Sequence, residues 1–190
     1  MAHSDPLPAG AAQSVAAQLG PFLTGPAGLP IPAFAAANPP TLTESFAVCV
    51  VGADQVKNPP ADLTALTEPV GLWHHQIRVG NTASHFARST KQAFAGPGLV
   101  VQEWTESPLA EKIDAAITWV DQHVPGEATV RLLIVPAYYV HAFLIVRGDQ
   151  STALLIEQPG GFTQLQYQQE YPLRQFLELL AKEQPAGTLT

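Results

Sequence analysis

The sequence predicts an α+β fold, a mostly antiparallel sheet of about six to seven strands packed by a central helix over about 108–123 and a C-terminal helix over about 172–183. Three observations predict it. Short β-branched apolar runs recur along the chain, two of them as candidate hairpins; an amphipathic stripe follows Ser107; and the elements fall in the order strands, helix, strands, helix.

The first strand candidate is Ser45 to Gly52 (SFAVCVVG), short, β-branched and closed by Gly. Leu72 to Val79 and Thr82 to Ser89 flank Gly80-Asn81, a two-residue loop with Gly where a type II′ turn wants it. Leu99 to Thr105 is a further strand, entered through Gly96-Pro97-Gly98. Ser107 can accept bonds from the free amides of a first helical turn, and Pro108 gives up no donor that the helix needs. Leu109, Ile113, Ala116, Ile117, Val120 and Val124 then form one apolar stripe, which Pro125-Gly126 ends. Thr129 to Val135, Tyr138 to Arg147 and Thr152 to Glu157 follow, the last two joined as a hairpin through Gly148-Asp149 or through a four-residue loop. Tyr138 to Val146 is apolar on both alternating faces, as a strand covered on both sides must be. Pro172 opens the last helix, with Leu173, Phe176, Leu177 and Leu180 along one side.

Residues 1–43 read as a Pro/Ala-rich N-terminal arm, partly docked, and 44–190 as a single α+β domain. Prolines at 6, 8, 21, 26, 30, 32, 39 and 40 remove donors and fix φ, so regular sheet or a long helix is not expected there. Ala11 to Leu19 can make two helical turns, and Phe22, Leu23, Leu29, Ile31 and Phe34 give the arm something to dock with. Asn58 to Gly71 is a second breaker-rich stretch.

Charge bounds the partners. Sixteen acids stand against nine bases, a formal net charge of −7, and the bases are scattered singly. Polyanion affinity comes from neutralised phosphates, so nucleic acid and an anionic membrane are not expected partners. Only 13% of residues are charged, about half the usual share, which suits a surface that meets another protein or a second copy of the chain. A single cysteine, Cys49, leaves no intrachain disulfide. Met1 to Leu19 lacks the basic and apolar regions of a signal peptide, and the expected location is cytoplasmic.

No phosphate-cradling loop, HExxH, CxxC pair or GxSxG elbow is present, and no cofactor is expected. If Gly80 and Asn81 are the loop, Ile77 faces Ser84, Gln76 faces His85 and His75 faces Phe86. Trp73, His75, Ile77, Val79 and Phe86 then share the core face, and His74, Gln76, Arg78, Ala83, His85 and Ala87 the other. His74 and His85 become the candidate metal or catalytic residues, with Gln76 beside them. Two imidazoles at that spacing can ligate a metal given a third ligand, or serve as general acid and base. The alternative is a solvated or interface face, and His75 reads as a hydrogen-bonded core histidine.

Cys49, His141 and Glu157 fall in the order cysteine, histidine, acid, as in papain-like cysteine enzymes. Cys49 lies mid-strand, however, where a thiol behaves as a small hydrophobe and no helix dipole stabilises thiolate, so the chain is not assigned to that family. Tyr138, Tyr139, Trp104 and Trp119 are aromatics able to line a pocket or to pack. The leading functional expectation is a non-catalytic module that associates with itself or with another protein. The alternatives are an enzyme or metal-binding domain using His74, Gln76 and His85, and a small-molecule binding domain.

Overall fold

The computed structural model describes residues 2–23, 40–79, 82–91 and 98–183. In chain order the elements are β1 (Ala2–Ser4), α1 (Ala11–Leu23), β2 (Pro40–Val50), α2 (Ala53–Lys57), α3 (Thr64–Thr67), β3 (Leu72–Val79), β4 (Thr82–Lys91) and β5 (Leu99–Glu106). There follow α4 (Pro108–His123), β6 (Ala128–Val135), a 3-10 turn (Pro136–Tyr138), β7 (Val140–Arg147), β8 (Gln150–Glu157), β9 (Glu170–Pro172) and α5 (Leu173–Leu180). Hydrogen-bonded strands run β5-β4-β3-β2-β6-β7-β8-β9, with β1 beside β6.

The broad α+β expectation holds, with two corrections. The sheet has nine strands among the described residues, and it is mixed, because β6 runs parallel to both β1 and β2. Three-residue strands such as β1 and β9 are too short to show an alternating pattern, and parallel pairing leaves no local turn to mark it. The arm is also more regular than its prolines suggest. Helix α1 extends to Leu23, and β2 starts at Pro40, the first position of its strand, where a missing donor costs least. Tyr138 and Tyr139 do not belong to the strand expected over them, since Pro136 starts a 3-10 turn and β7 begins at Val140. The Gly80-Asn81 turn, residues 24–39 and the Gly96-Pro97 pair lie outside the described residues.

The chain divides into two compact units, one built from 1–5, 47–70 and 115–190, the other from 6–46 and 71–114. In the first unit, one face of the sheet carries Cys49, Leu133, Val135, Val140, Ala142, Leu144, Ala153 and Leu155. They pack with Val56, Leu66, Tyr138, Phe176, Leu177 and Leu180 into its core. The β7–β8 hairpin turns through Gly148 and Asp149 as expected, Arg147 pairing Gln150 and Gly148 holding a φ of +59° that suits glycine. Asp5 ties down β1: Arg131 donates to it from Nε at 2.7 Å and from a second nitrogen at 2.9 Å. Arg147 pairs with Glu170 and so holds β9 beside β8.

In the second unit, Ala11, Val15 and Leu19 of α1 pack with Ile77, Ala87, Leu99 and Val101. Two polar side chains of α1 reach the edge of β5. Ser14 Oγ donates to Leu99 O at 3.0 Å; Gln18 Nε2 donates to the same oxygen at 2.8 Å, while Gln18 Oε1 accepts from Val101 N at 3.0 Å. Bonding the oxygen of residue 99 and the amide of residue 101 is what a parallel strand would do opposite Val100. One side-chain amide therefore takes the place of a neighbouring strand. The approach is close: a Cβ on Gly98 would lie 2.7 Å from Ser14 Oγ. The start of α4 follows expectation, with the Ser107 hydroxyl accepting from Leu109 N at 3.2 Å.

Candidate functional site

The β3–β4 hairpin carries the first candidates. Val79 pairs with Thr82, as the two-residue loop requires, but Arg78 pairs with Ala83 and Ile77 with His85. Ser84 is the extra residue of a β-bulge, and one extra residue moves all later partners to the opposite face. The expected register of Ile77 with Ser84, Gln76 with His85 and His75 with Phe86 is therefore replaced by Gln76 with Phe86, His75 with Ala87 and His74 with Arg88. His74 and Gln76 share a face with Phe86, whereas His85 shares the other with His75, Ile77 and Ala87. The structure does not bring His74 and His85 together.

Each histidine has its own surroundings within this unit. His74 Nε2 lies 3.3 Å from Gln76 Oε1, and since that oxygen only accepts, the contact places the imidazole proton on Nε2. The Gln76 amide donates onward to Ala110 O of α4 at 2.8 Å, and the His74 ring packs on Phe86 with centroids 4.7 Å apart. His75 is wholly buried, its Nδ1 2.8 Å from Ser45 Oγ and its Nε2 2.6 Å from Ser89 Oγ. Burial lowers its pKa to about 4, so it stays neutral. His85 meets the edge of Trp104, centroids 5.3 Å apart. Among the described residues no group of three His, Cys, Asp or Glu side chains is placed to hold a metal.

In the other unit, the order cysteine, histidine, acid resolves into a pair and an outlier. Cys49 pairs with Leu133, which pairs with Ala142; His141 pairs with Ile134, which pairs with Val50. Neighbouring positions along a strand point to opposite faces, so thiol and imidazole are separated by the sheet. Cys49 Sγ donates instead to Thr67 O at 3.1 Å, and burial pushes its pKa up to about 11, against the pull of Arg131. Thiolate is therefore scarce there at neutral pH.

His141 and Glu157 do meet. His141 Nδ1 is 3.3 Å from Glu157 Oε2, with 16% and 28% of the two side chains exposed. A bulge creates the contact: Ala142 pairs with Leu155, yet His141 pairs with Glu157, leaving Ile156 as the extra residue. Regular pairing would set Ile156 opposite His141 and turn the carboxylate to the wrong face.

A second irregularity lies two residues away. Tyr139 holds φ 49° and ψ 39°, the left-handed region that an aromatic side chain rarely occupies, and 66% of it is exposed. Its neighbour Tyr138 is fully buried with a hydroxyl that has no partner among the described residues, and the ring meets the edge of Phe162. Trp119 stacks on His123 with centroids 4.6 Å apart. The bulge at Ile156 and the left-handed Tyr139 have no sequence signature, because neither position carries the glycine that would announce it.

A cavity of about 270 Å³ in the same unit is bordered by Asp62, Thr64, Thr67, Asp149 and Ser151. Asp62 accepts from the Thr64 hydroxyl at 2.6 Å and from its amide at 2.9 Å, which lowers its pKa.

No helix among the described residues is long and apolar enough to cross a membrane. No family model, curated protein or solved structure matches the chain.

Proposed function

We propose that the chain is a self-associating, non-catalytic module whose partner is a second copy of itself. Tyr139 is the observation that carries this reading. Holding a tyrosine in the left-handed region costs on the order of 1 kcal/mol. Here the cost displays two-thirds of an aromatic residue to solvent. Val50, 37% exposed, and Val70, 56% exposed, belong to the same unit, with Val70 N bonded to Val48 O two residues before Val50. Exposed tyrosine is among the residue types enriched at contact centres.

Charge supports a like partner. Although the net charge is −7, only 25 of the 190 side chains are Lys, Arg, Asp or Glu, the sum of nine bases and sixteen acids. Repulsion between two copies is screened beyond about 8 Å at physiological ionic strength.

Light scattering over a concentration series tests the reading. The expected result is a mass that rises toward the dimer, with dissociation at least tenfold easier in Tyr139→Asn, which tolerates the left-handed conformation but lacks the ring. A concentration-independent monomer overturns it, as does a variant that associates like the wild type.

A second reading rests on the His141–Glu157 contact. A carboxylate beside one imidazole nitrogen orients the ring and raises the basicity of the other, the arrangement of a general base. A panel of ester and phosphate substrates tests it. Turnover lost in Glu157→Gln and His141→Gln supports this reading, and turnover equal to the wild type in both eliminates it.

A further inference from the structure

We infer that His141 and Glu157 are one half of a zinc site that two copies of the chain complete, each giving its imidazole and its carboxylate to one ion. The second copy is that of the self-association reading, on which this rests.

Donor spacing carries the inference. His141 Nδ1 stands 3.3 Å from Glu157 Oε2. Zinc bonds imidazole nitrogen and carboxylate oxygen at about 2.0–2.2 Å, so two such donors at a tetrahedral angle lie about 3.3–3.5 Å apart. The pair is already spaced as adjacent ligands of one ion, and the bulge at Ile156 is what sets the carboxylate there. Val50 pairs with Ile134, Ile134 with His141 and His141 with Glu157, so these four form one row across β2, β6, β7 and β8. Leu132 and Phe143, in the next row of the same face, are fully buried, whereas Val50 is exposed and both donors reach solvent. The row is a rim that a second molecule can approach.

Donor count calls for the second copy. Zinc takes four ligands, and among the described residues no third His, Cys, Asp or Glu joins the pair. A twofold axis through the ion supplies the same two donors again, giving two imidazoles and two carboxylates. Charge agrees with this arrangement. Two carboxylates facing each other across the axis repel, and the ion's double positive charge neutralises them while both imidazoles stay neutral. Val50 and Ile134 of both copies then form an apolar border to the metal, which limits the access of water.

Zinc chloride added to the chain, purified without a His tag and stripped with chelator, tests the site by calorimetry and light scattering. The expected result is about half an equivalent of zinc bound per chain, with the dimer at least tenfold harder to dissociate. His141→Gln and Glu157→Gln should each abolish both effects. One equivalent bound per chain without a change in mass overturns the shared site, as does zinc binding equal to the wild type in both variants. A dimer indifferent to zinc overturns the site but leaves self-association standing. A monomer with and without zinc overturns both. Should the variants fail to fold, Co²⁺ in the unaltered chain gives an independent answer. A tetrahedral site gives an intense visible absorption that saturates at about half an equivalent. The faint spectrum of hydrated Co²⁺ overturns the proposal.

Discussion

His75 shows what a single buried side chain imposes. It is neutral between two serine hydroxyls, and its pKa of about 4 lies below the 6.5 of an exposed imidazole. The unfolded chain therefore takes up the proton first as pH falls. The contribution of His75 to stability is complete above pH 6.5 and declines as the pH drops toward 4, with about 2 kcal/mol gone by pH 5. Urea unfolding at pH 7 and pH 5 measures this, and His75→Gln should flatten the slope between them. The same substitution should cost about 2 kcal/mol at pH 7, because a flexible amide cannot meet both hydroxyls in the imidazole's geometry. The core role of His75 is legible in the sequence from its alternation with Trp73 and Ile77. The separation of His74 from His85 is not, because it depends on Ser84, whose bulge no residue type announces.

At the level of elements, legibility follows from how local the determining chemistry is. Helix α4 begins one residue after Ser107 and is written in adjacent positions, a cap, a proline and a stripe. The β7–β8 hairpin is equally local, its turn set by Gly148. Strand β1 is the opposite case, since Ala2 to Ser4 has no pattern of its own and is a strand only because β6 accepts it. Helix α1 lies between these cases. Its Ala-rich stretch suggests helix, but its function as an edge cover resides in Gln18, whose partners are 81 and 83 positions away. Gln18→Ala should leave the helix intact and open the edge. The expected readout is hydrogen exchange at the Val101 amide accelerated at least tenfold, with a global loss of about 1–2 kcal/mol. Unchanged protection at Val101 would mean that the side-chain amide does not stand in for a strand.

For the whole molecule, the sequence is most informative about what is scarce. Sparse charge is what turns the proposed reading toward association, while the sheet holds Cys49 and His141 on opposite faces. The parallel β2–β6 pairing is illegible for the same reason as β1: Val48 and Leu132 are brought together by everything between them. If two copies bind, unfolding depends on protein concentration, and the midpoint temperature should rise by several degrees between micromolar and hundred-micromolar protein. A midpoint that does not move with concentration argues for a monomer.

The Asp5–Arg131 bond has a consequence in time. During synthesis the residues that form β1 are made well before their partner strand, which begins only at Ala128. At about 5–20 residues per second, β1 waits on the order of ten seconds for its own β6. Until then β1 has no strand of its own to pair with. The β1–β6 pairing therefore cannot help to nucleate folding of the segments made before Ala128.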